Sequence, residues 1–325
     1  MISRRTVLAG VAMTLLAPSA VLAQPRPKPV RLGVLLFSDP GSDPNMRAAR
    51  EALRERGYVE GQNLSIEYRY AEGRPERLRD LGADLVRTRP DAIFALGGDV
   101  APHAKAATST IPIVVVVSGN PVTGGLAASL AAPGGNVTGV TLITSELAGK
   151  RLQYLKQAAP RVSKVAVIWS PLHHDDELAE AQAAGRSLGF QVHSAEVRDS
   201  AEFTAVLQAA LAAGVDGVMA VSSRQIFGLR PAIVDFAARH RLPLAAGWGP
   251  WTESGALLSY GPDVSVAVRR AVTHHLDRVF KGTKPAELPM EQPTKFDLTI
   301  NLKTASALGL AIPQNLVLQA ERIVQ

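Results

Sequence analysis

The 325-residue chain contains no cysteine. That excludes disulfides, thiolate metal sites and a lipid-bearing cysteine behind a leader. Phosphate loops are missing too: no glycine-rich loop ends in Gly-Lys-Ser/Thr, and no Gly-x-Gly-x-x-Gly follows the first strand. No strand-to-helix Gly-x-Ser-x-Gly elbow offers a hydrolase nucleophile. His173-His174 and His274-His275 are adjacent pairs without metal-ligand spacing, so neither a metal nor a cofactor is expected. No run past the first residues approaches the roughly 20 apolar residues that cross a bilayer. The formal charge is +6 but dispersed. Arg47, Arg50, Arg54 and Arg56 share a helix with Glu51 and Glu55, which makes a solvated face. No aromatic-interleaved basic patch invites nucleic acid.

What is present is export and α/β patterning. Ser3-Arg4-Arg5 precedes an apolar run, Val7 to Leu16, and Val21-Leu22-Ala23 supplies small residues for cleavage before Gln24. Residues 1–23 read as a secretory signal, and Ser-Arg-Arg-Thr-Val-Leu resembles the twin-arginine export pattern. Without Arg4 and Arg5 the charge is 33 − 29 = +4. A periplasmic location in a Gram-negative cell is the expectation. Residues 24–29 are Pro-rich and charged, a linker.

The unbroken β-branched run from Ile113 to Val117, in the stretch that begins Ile111-Pro112, suits a strand buried on both faces of a parallel sheet. It stops at Ser118-Gly119-Asn120, and Pro121 is placed to open a helix over Thr123 to Ala131. In open α/β sheets ligands bind at that edge, beyond the carboxyl ends of the strands. The same pattern runs through the chain twice. Ser38 and Ser170 each end a strand and stand 170 − 38 = 132 residues apart; Gly57 and Gly189 end helices at the same spacing, 189 − 57 = 132. Pro112 and Pro243 open strands 243 − 112 = 131 residues apart. Two successive βαβαβαβ units predict two similar lobes, each a doubly wound parallel sheet. Further elements follow the second unit, so the chain revisits both lobes through hinge crossings, with a ligand cleft between them. The expected boundaries give 30–142 plus about 252–290 to one lobe, and 143–251 plus about 291–325 to the other.

The candidate binding residues are the strand-end loops facing that cleft. In the first lobe they are Phe37, Ser38, Gly98, Asp99, Ser118, Gly119 and Asn120. In the second they are Ser170, His173, Ser222, Ser223, Gly247 and Trp248. Ser and Asn side chains with helix N-termini suit a carboxylate. Asp99 suits an ammonium, and Phe37 or Trp248 suits an apolar or aromatic side chain.

Several stretches carry a family resemblance. They are Gly57-Tyr58-Val59-Glu60-Gly61-Gln62-Asn63-Leu64, Ala71-Glu72-Gly73-Arg74-Pro75-Glu76-Arg77-Leu78, and Pro133-Gly134-Gly135-Asn136-Val137-Thr138-Gly139. Glu146-Leu147-Ala148-Gly149-Lys150-Arg151, Ser259-Tyr260-Gly261-Pro262-Asp263 and Glu291-Gln292-Pro293-Thr294-Lys295-Phe296 continue the match. The chain resembles the periplasmic substrate-binding proteins of ABC transporters, of the tryptophan/tyrosine-binding type. The resemblance implies a type I periplasmic-binding fold that closes around a small solute. It also implies an inner-membrane ABC permease as partner, and a non-enzymatic monomer is expected. Three positions depart from the family pattern. Gly97-Gly98-Asp99 stands where Gly-Thr-Pro is usual, Gly119-Asn120-Pro121 where Gly-Asp-Pro is usual, and Ser170 where Asn is common. These changes redistribute charge in the pocket, so an aromatic acid or another carboxylate rivals an aromatic amino acid as ligand. Two other readings stay open from sequence: an α/β enzyme using Asp99 with His173 or His174, and a sensor subunit that presents its closed form to a membrane receptor.

Overall fold

A computed structural model describes residues 28–41, 43–173, 176–199 and 201–325. The secretory signal of residues 1–23 lies outside the described residues. The first sheet holds β1 (Val30–Leu36), β2 (Leu64–Tyr70), β3 (Ala92–Leu96), β4 (Ile113–Val117) and β5 (Val137–Thr141), in the order β2-β1-β3-β4-β5. Every pairing in it is parallel. Both faces are covered, as the continuous apolar strands require. Val34, Leu36, Phe94, Leu96, Val114 and Val116 point into one core, while Leu35, Ile93, Ala95, Val115 and Val117 point into another. Gly139 in β5 is dictated by packing. Its φ is +142°, and a Cβ there would sit 2.0 Å from the Val115 carbonyl oxygen on β4.

The second sheet holds β6 (Lys164–Trp169), β7 (Gln191–Glu196), β8 (Gly217–Ala220), β9 (Leu244–Ala246), β10 (Leu258–Gly261), β11 (Asp297–Asn301) and β12 (Arg322–Val324). Read from β7 its order is β7-β6-β8-β9-β10-β11-β12. The first five places repeat the order of the first sheet, which gives the repeated sequence offsets their structural meaning. β11 runs antiparallel to β10, and β12 parallel to β11.

Three crossings join the lobes. The chain leaves β5 and enters the helix Ala148–Ala158 beneath the second sheet. It returns after β10 through Pro262-Asp263 into the helical stretch Val264–Arg270, a π-helical turn Ala271–Leu276, and Asp277–Phe280. That stretch packs on the first lobe. Arg269 pairs with Glu55, and the Tyr58 hydroxyl donates to Asp277 Oδ1 at 3.1 Å. Burial, then this bond to a carboxylate, pushes the Tyr58 phenol up to about 12. The third crossing passes Glu291, whose N–H donates to Gly139 O and whose carbonyl accepts from Thr141 N beside β5.

Several expectations change. The boundary at about 252 is too early: β10 belongs to the second sheet, and the return falls at Pro262-Asp263. Residues 123–131 form turns, not a helix. Gly124-Gly125 lets the chain reverse, with Gly125 at φ +68°, and Pro121 O accepts from both Leu126 N and Ala127 N. Past β8 the chain forms two helices, Arg224–Gly228 and Arg230–Arg239, because Ser223 caps the first and Pro231 favours a fresh start. The tail after Leu308 adds the helix Gln314–Gln319 and β12.

Candidate ligand site between the lobes

Residues just past β3 and β4 meet residues just past β6 and β8. His173 is 4% exposed and reaches from the second lobe into the first. Its Nδ1 lies 3.2 Å from Asp99 Oδ1, and its Nε2 lies 3.0 Å from Ser118 Oγ. Asp99 is 3% exposed. Its Oδ2 accepts the Gln225 backbone N–H at 3.1 Å, and Oδ1 accepts that of Arg224 at 3.4 Å. Gly98 makes room for this contact: a Cβ there would lie 2.6 Å from His173 Cε1. On the second lobe, Ser170 Oγ donates to Gln225 Oε1 at 2.7 Å, and Ser223 Oγ accepts from Ile226 N at 3.1 Å.

Burial pushes the Asp99 carboxyl up. The charge of His173, its hydrogen bond and the Gln225 N–H outweigh burial, and together they hold Asp99 below its ordinary 3.8. The sign follows from linkage. A carboxyl lowered in the folded state contributes stability above its unfolded pKa and loses it as pH falls through the folded value. The Asp99 contribution is therefore expected to be full down to about 4 and to be lost progressively as pH falls further, through the lowered folded value. A pH series of the thermal midpoint, with Asp99→Ala as reference, checks this: the difference between the two chains should shrink only in that acid range.

Two cavities flank the contact. One, of about 440 Å³, is walled by Asn45 of the first lobe and by Arg224, Phe227 and Trp248 of the second. The Arg224 guanidinium lies 5.7 Å from the Trp248 ring centroid, and its Nη1 is 3.4 Å from Asp43 Oδ2. Phe227 meets Trp248 edge-on at 5.3 Å. Trp248 is 5% exposed, and its Nε1 has no hydrogen-bond partner among the described residues. Glu253, Asp263, Asp297 and Glu321 line the same cavity, with Lys295 and Arg322. The other cavity, of about 600 Å³, holds Phe37, Ser38, Arg74 and Gln225.

Behind the cleft, Arg151 and Glu177 form a fully buried ion pair. Arg151 Nε donates to Tyr260 O at 2.9 Å, and Glu177 Oε2 accepts from Ser222 N at 3.0 Å. The pair thus ties the ends of β8 and β10 to the helices beneath.

The structure therefore sorts the candidates. Gly98, Asp99, Ser118 and His173 come together, and Trp248 and Ser38 line the flanking cavities. Phe37 is a core residue that shows one edge to the larger cavity. Gly119 gives its carbonyl to Thr141 Oγ1. Asn120 turns back on its own chain, its Oδ1 accepting from Val122 N at 2.9 Å. Ser222 and Gly247 face the Arg151–Glu177 pair inside the second lobe; a Cβ on Gly247 would meet Ser222 Oγ at 2.1 Å. Ser223 is a helix cap. His174 lies outside the described residues. Asp99, expected to take a solute ammonium, is committed instead to the opposite lobe. Arg224, Gln225 and Phe227 were not among the sequence candidates. Their signal was the Ser222-Ser223 cap just before them, which starts a helix at a strand end.

One parallel five-strand order used twice, three crossings and a cleft at the strand ends define a two-lobed protein of the type I periplasmic-binding fold. The chain belongs to the ABC transporter substrate binding protein family, whose model matches residues 32–324. It is 24% identical over 277 residues to a tyrosine-binding protein of Clostridioides difficile, covering 85% of this chain and 79% of that protein. A conserved domain protein from Vibrio cholerae superposes with a TM-score of 0.83 at 24% identity, over 91% of this chain and 100% of the other. An ABC domain from Streptococcus pneumoniae in complex with L-Trp superposes at 0.81 and 23% identity, with the same coverage.

Proposed function

We propose that this protein is the extracytoplasmic solute receptor of an ABC importer. It takes a small carboxylate-bearing solute, an amino acid or an aromatic acid, between its lobes and hands it to an inner-membrane permease. Arg224 carries this reading. It is a nearly buried guanidinium beside an indole and a phenyl ring, in a cavity within the usual range for small-molecule sites, about 300–1,000 Å³. A guanidinium reads a planar carboxylate through paired N–H groups, and the two rings suit an apolar or aromatic body. Asp263 and Glu321, on the same wall, suit an α-ammonium. The tyrosine-binding relative and the L-Trp complex support the same solute class.

The test is a thermal-shift screen of the chain with L-tryptophan, L-tyrosine, benzoate, branched-chain acids and sugars. A ligand at a hundred times its dissociation constant adds about 2.7 kcal/mol. One chemical class should raise the midpoint by several degrees, at about 2–4 °C per kcal/mol for domains near this size. A shift confined to sugars overturns the carboxylate reading. Trp248→Ala is then expected to weaken binding of that solute by roughly ten-fold or more, as loss of a buried aromatic contact does. Ser38→Ala, in the other cavity, should leave calorimetric affinity unchanged.

One observation favours an enzyme: Asp99, His173 and Ser118 have the connectivity of a hydrolase triad. Against it, Asp99, Ser118 and His173 are all nearly buried, which shuts the hydroxyl away from a substrate. The letters Gly185-Arg186-Ser187-Leu188-Gly189 fit a nucleophile elbow, yet they lie at the end of the helix Glu177–Leu188. Hydrolysis of p-nitrophenyl acetate is expected to be the same for the wild-type chain and Ser118→Ala.

A further inference from the structure

We propose that Asp99 and His173 form a clip that closes the lobes without a solute. Asp99 belongs to the first lobe, yet all three partners named for its carboxylate lie in the second: His173, the Gln225 N–H and the Arg224 N–H. His173 belongs to the second lobe and also bonds Ser118 of the first. A second cross-lobe pair, Arg224 with Asp43, lies at 3.4 Å beside it. These groups are nearly buried and lie between the two cavities.

The position of the carboxylate gives the clip its effect. In a two-lobed receptor a solute carboxylate earns closure by bonding both lobes at once. Here a side chain already does so, and its tether gives it a high effective concentration. Losing a hydrogen bond to a charged group shifts an equilibrium by roughly ten- to a hundred-fold. A two-lobed chain that has this clip therefore populates its closed form with an empty cavity, and the solute no longer has to drive the lobes together. The clip goes beyond the receptor reading and rests on it only for the purpose of closure.

Because the chain has no cysteine, spin labels go only where they are placed. Glu76→Cys and Glu202→Cys put one exposed label on each lobe, near the mouth of the larger cavity. Distances are read by double electron–electron resonance on the solute-free labelled chain. Wild-type Asp99 should give one narrow, short distance. Asp99→Ala should move the distribution to longer separations. Gly98→Ala, which keeps the Asp99 carboxylate and crowds the His173 ring, should do the same. A cooperative thermal transition in each variant shows that the lobes themselves are intact. A long or broad distance in the parent, or an unchanged short distance in both variants, overturns the clip. The measurement uses no solute, so failure of the solute screen and failure of the clip are separate results.

Discussion

Arg151→Met is expected to lower the stability of the chain by about 3–5 kcal/mol, the usual cost of stranding one member of a buried ion pair. At about 2–4 °C per kcal/mol the midpoint should drop by roughly 6–20 °C. The cause is the charge left behind. Glu177 is fully buried, and without the guanidinium its carboxylate loses the cation bonded to it, keeping the N–H and hydroxyl of Ser222. Arg151 also holds the Tyr260 carbonyl, so the ends of β8 and β10 loosen together. The double variant Arg151→Met with Glu177→Leu removes both charges and should recover most of the loss, because an apolar pair of similar volume often replaces a buried ion pair without cost. A double-mutant cycle by denaturant unfolding checks this. Additive losses would show that the two side chains act separately.

The second large effect concerns recognition. Arg224→Ala should weaken binding of the carboxylate solute by roughly ten- to a hundred-fold, as loss of a charge-assisted hydrogen bond does. Arg224→Lys should recover only part of this, because an ammonium does not present the planar fork of a guanidinium. Isothermal calorimetry with the solute found by thermal shift gives the comparison. The Arg224 backbone N–H, which faces Asp99, is retained in both variants, but Arg224→Ala also removes the cross-lobe pair with Asp43, so Asp43→Ala measured beside it separates closure from recognition. Equal affinity in all three proteins would place the solute elsewhere in the cleft.

Much of the architecture was legible because it depends on local pattern. The β-branched run at 113–117 became a strand buried on both faces, as a continuous apolar run must. The equal spacing of Ser38 to Ser170 and of Gly57 to Gly189 reappears as one strand order used twice. The stretch 123–131 failed because its alanines and leucine favour a helix while Gly124-Gly125 permits a reversal, and the packing chose the reversal.

The candidate site was legible only as far as the strand ends. That rule gathers Asp99, Ser118, His173 and Trp248, but it cannot say which way each side chain turns. Asn120 satisfies its own turn, and Ser222 looks inward at Glu177. The bond between Asp99 and Gln225 joins residues 126 apart in sequence. Nothing near either residue signals it, since it depends on how two lobes meet. Arg224 escaped notice for the same reason: on a sequence it is one more dispersed basic residue, and only the fold places it beside Trp248.

The return of the chain at Pro262-Asp263 has a consequence for synthesis. Ala267, Val268, Ala271, Val272 and Leu276 pack into the same core as Met46, Ala49 and Ala52 of the first lobe. Yet they leave the ribosome after most of the second sheet. From residue 142 to residue 264 is 264 − 142 = 122 residues, about 6–24 s of translation at 5–20 residues per second. Throughout that interval the nascent first lobe lacks one of its covering helices and presents bare apolar surface. Neither lobe is continuous in sequence, and the N-terminal half is completed by a helix encoded far behind it.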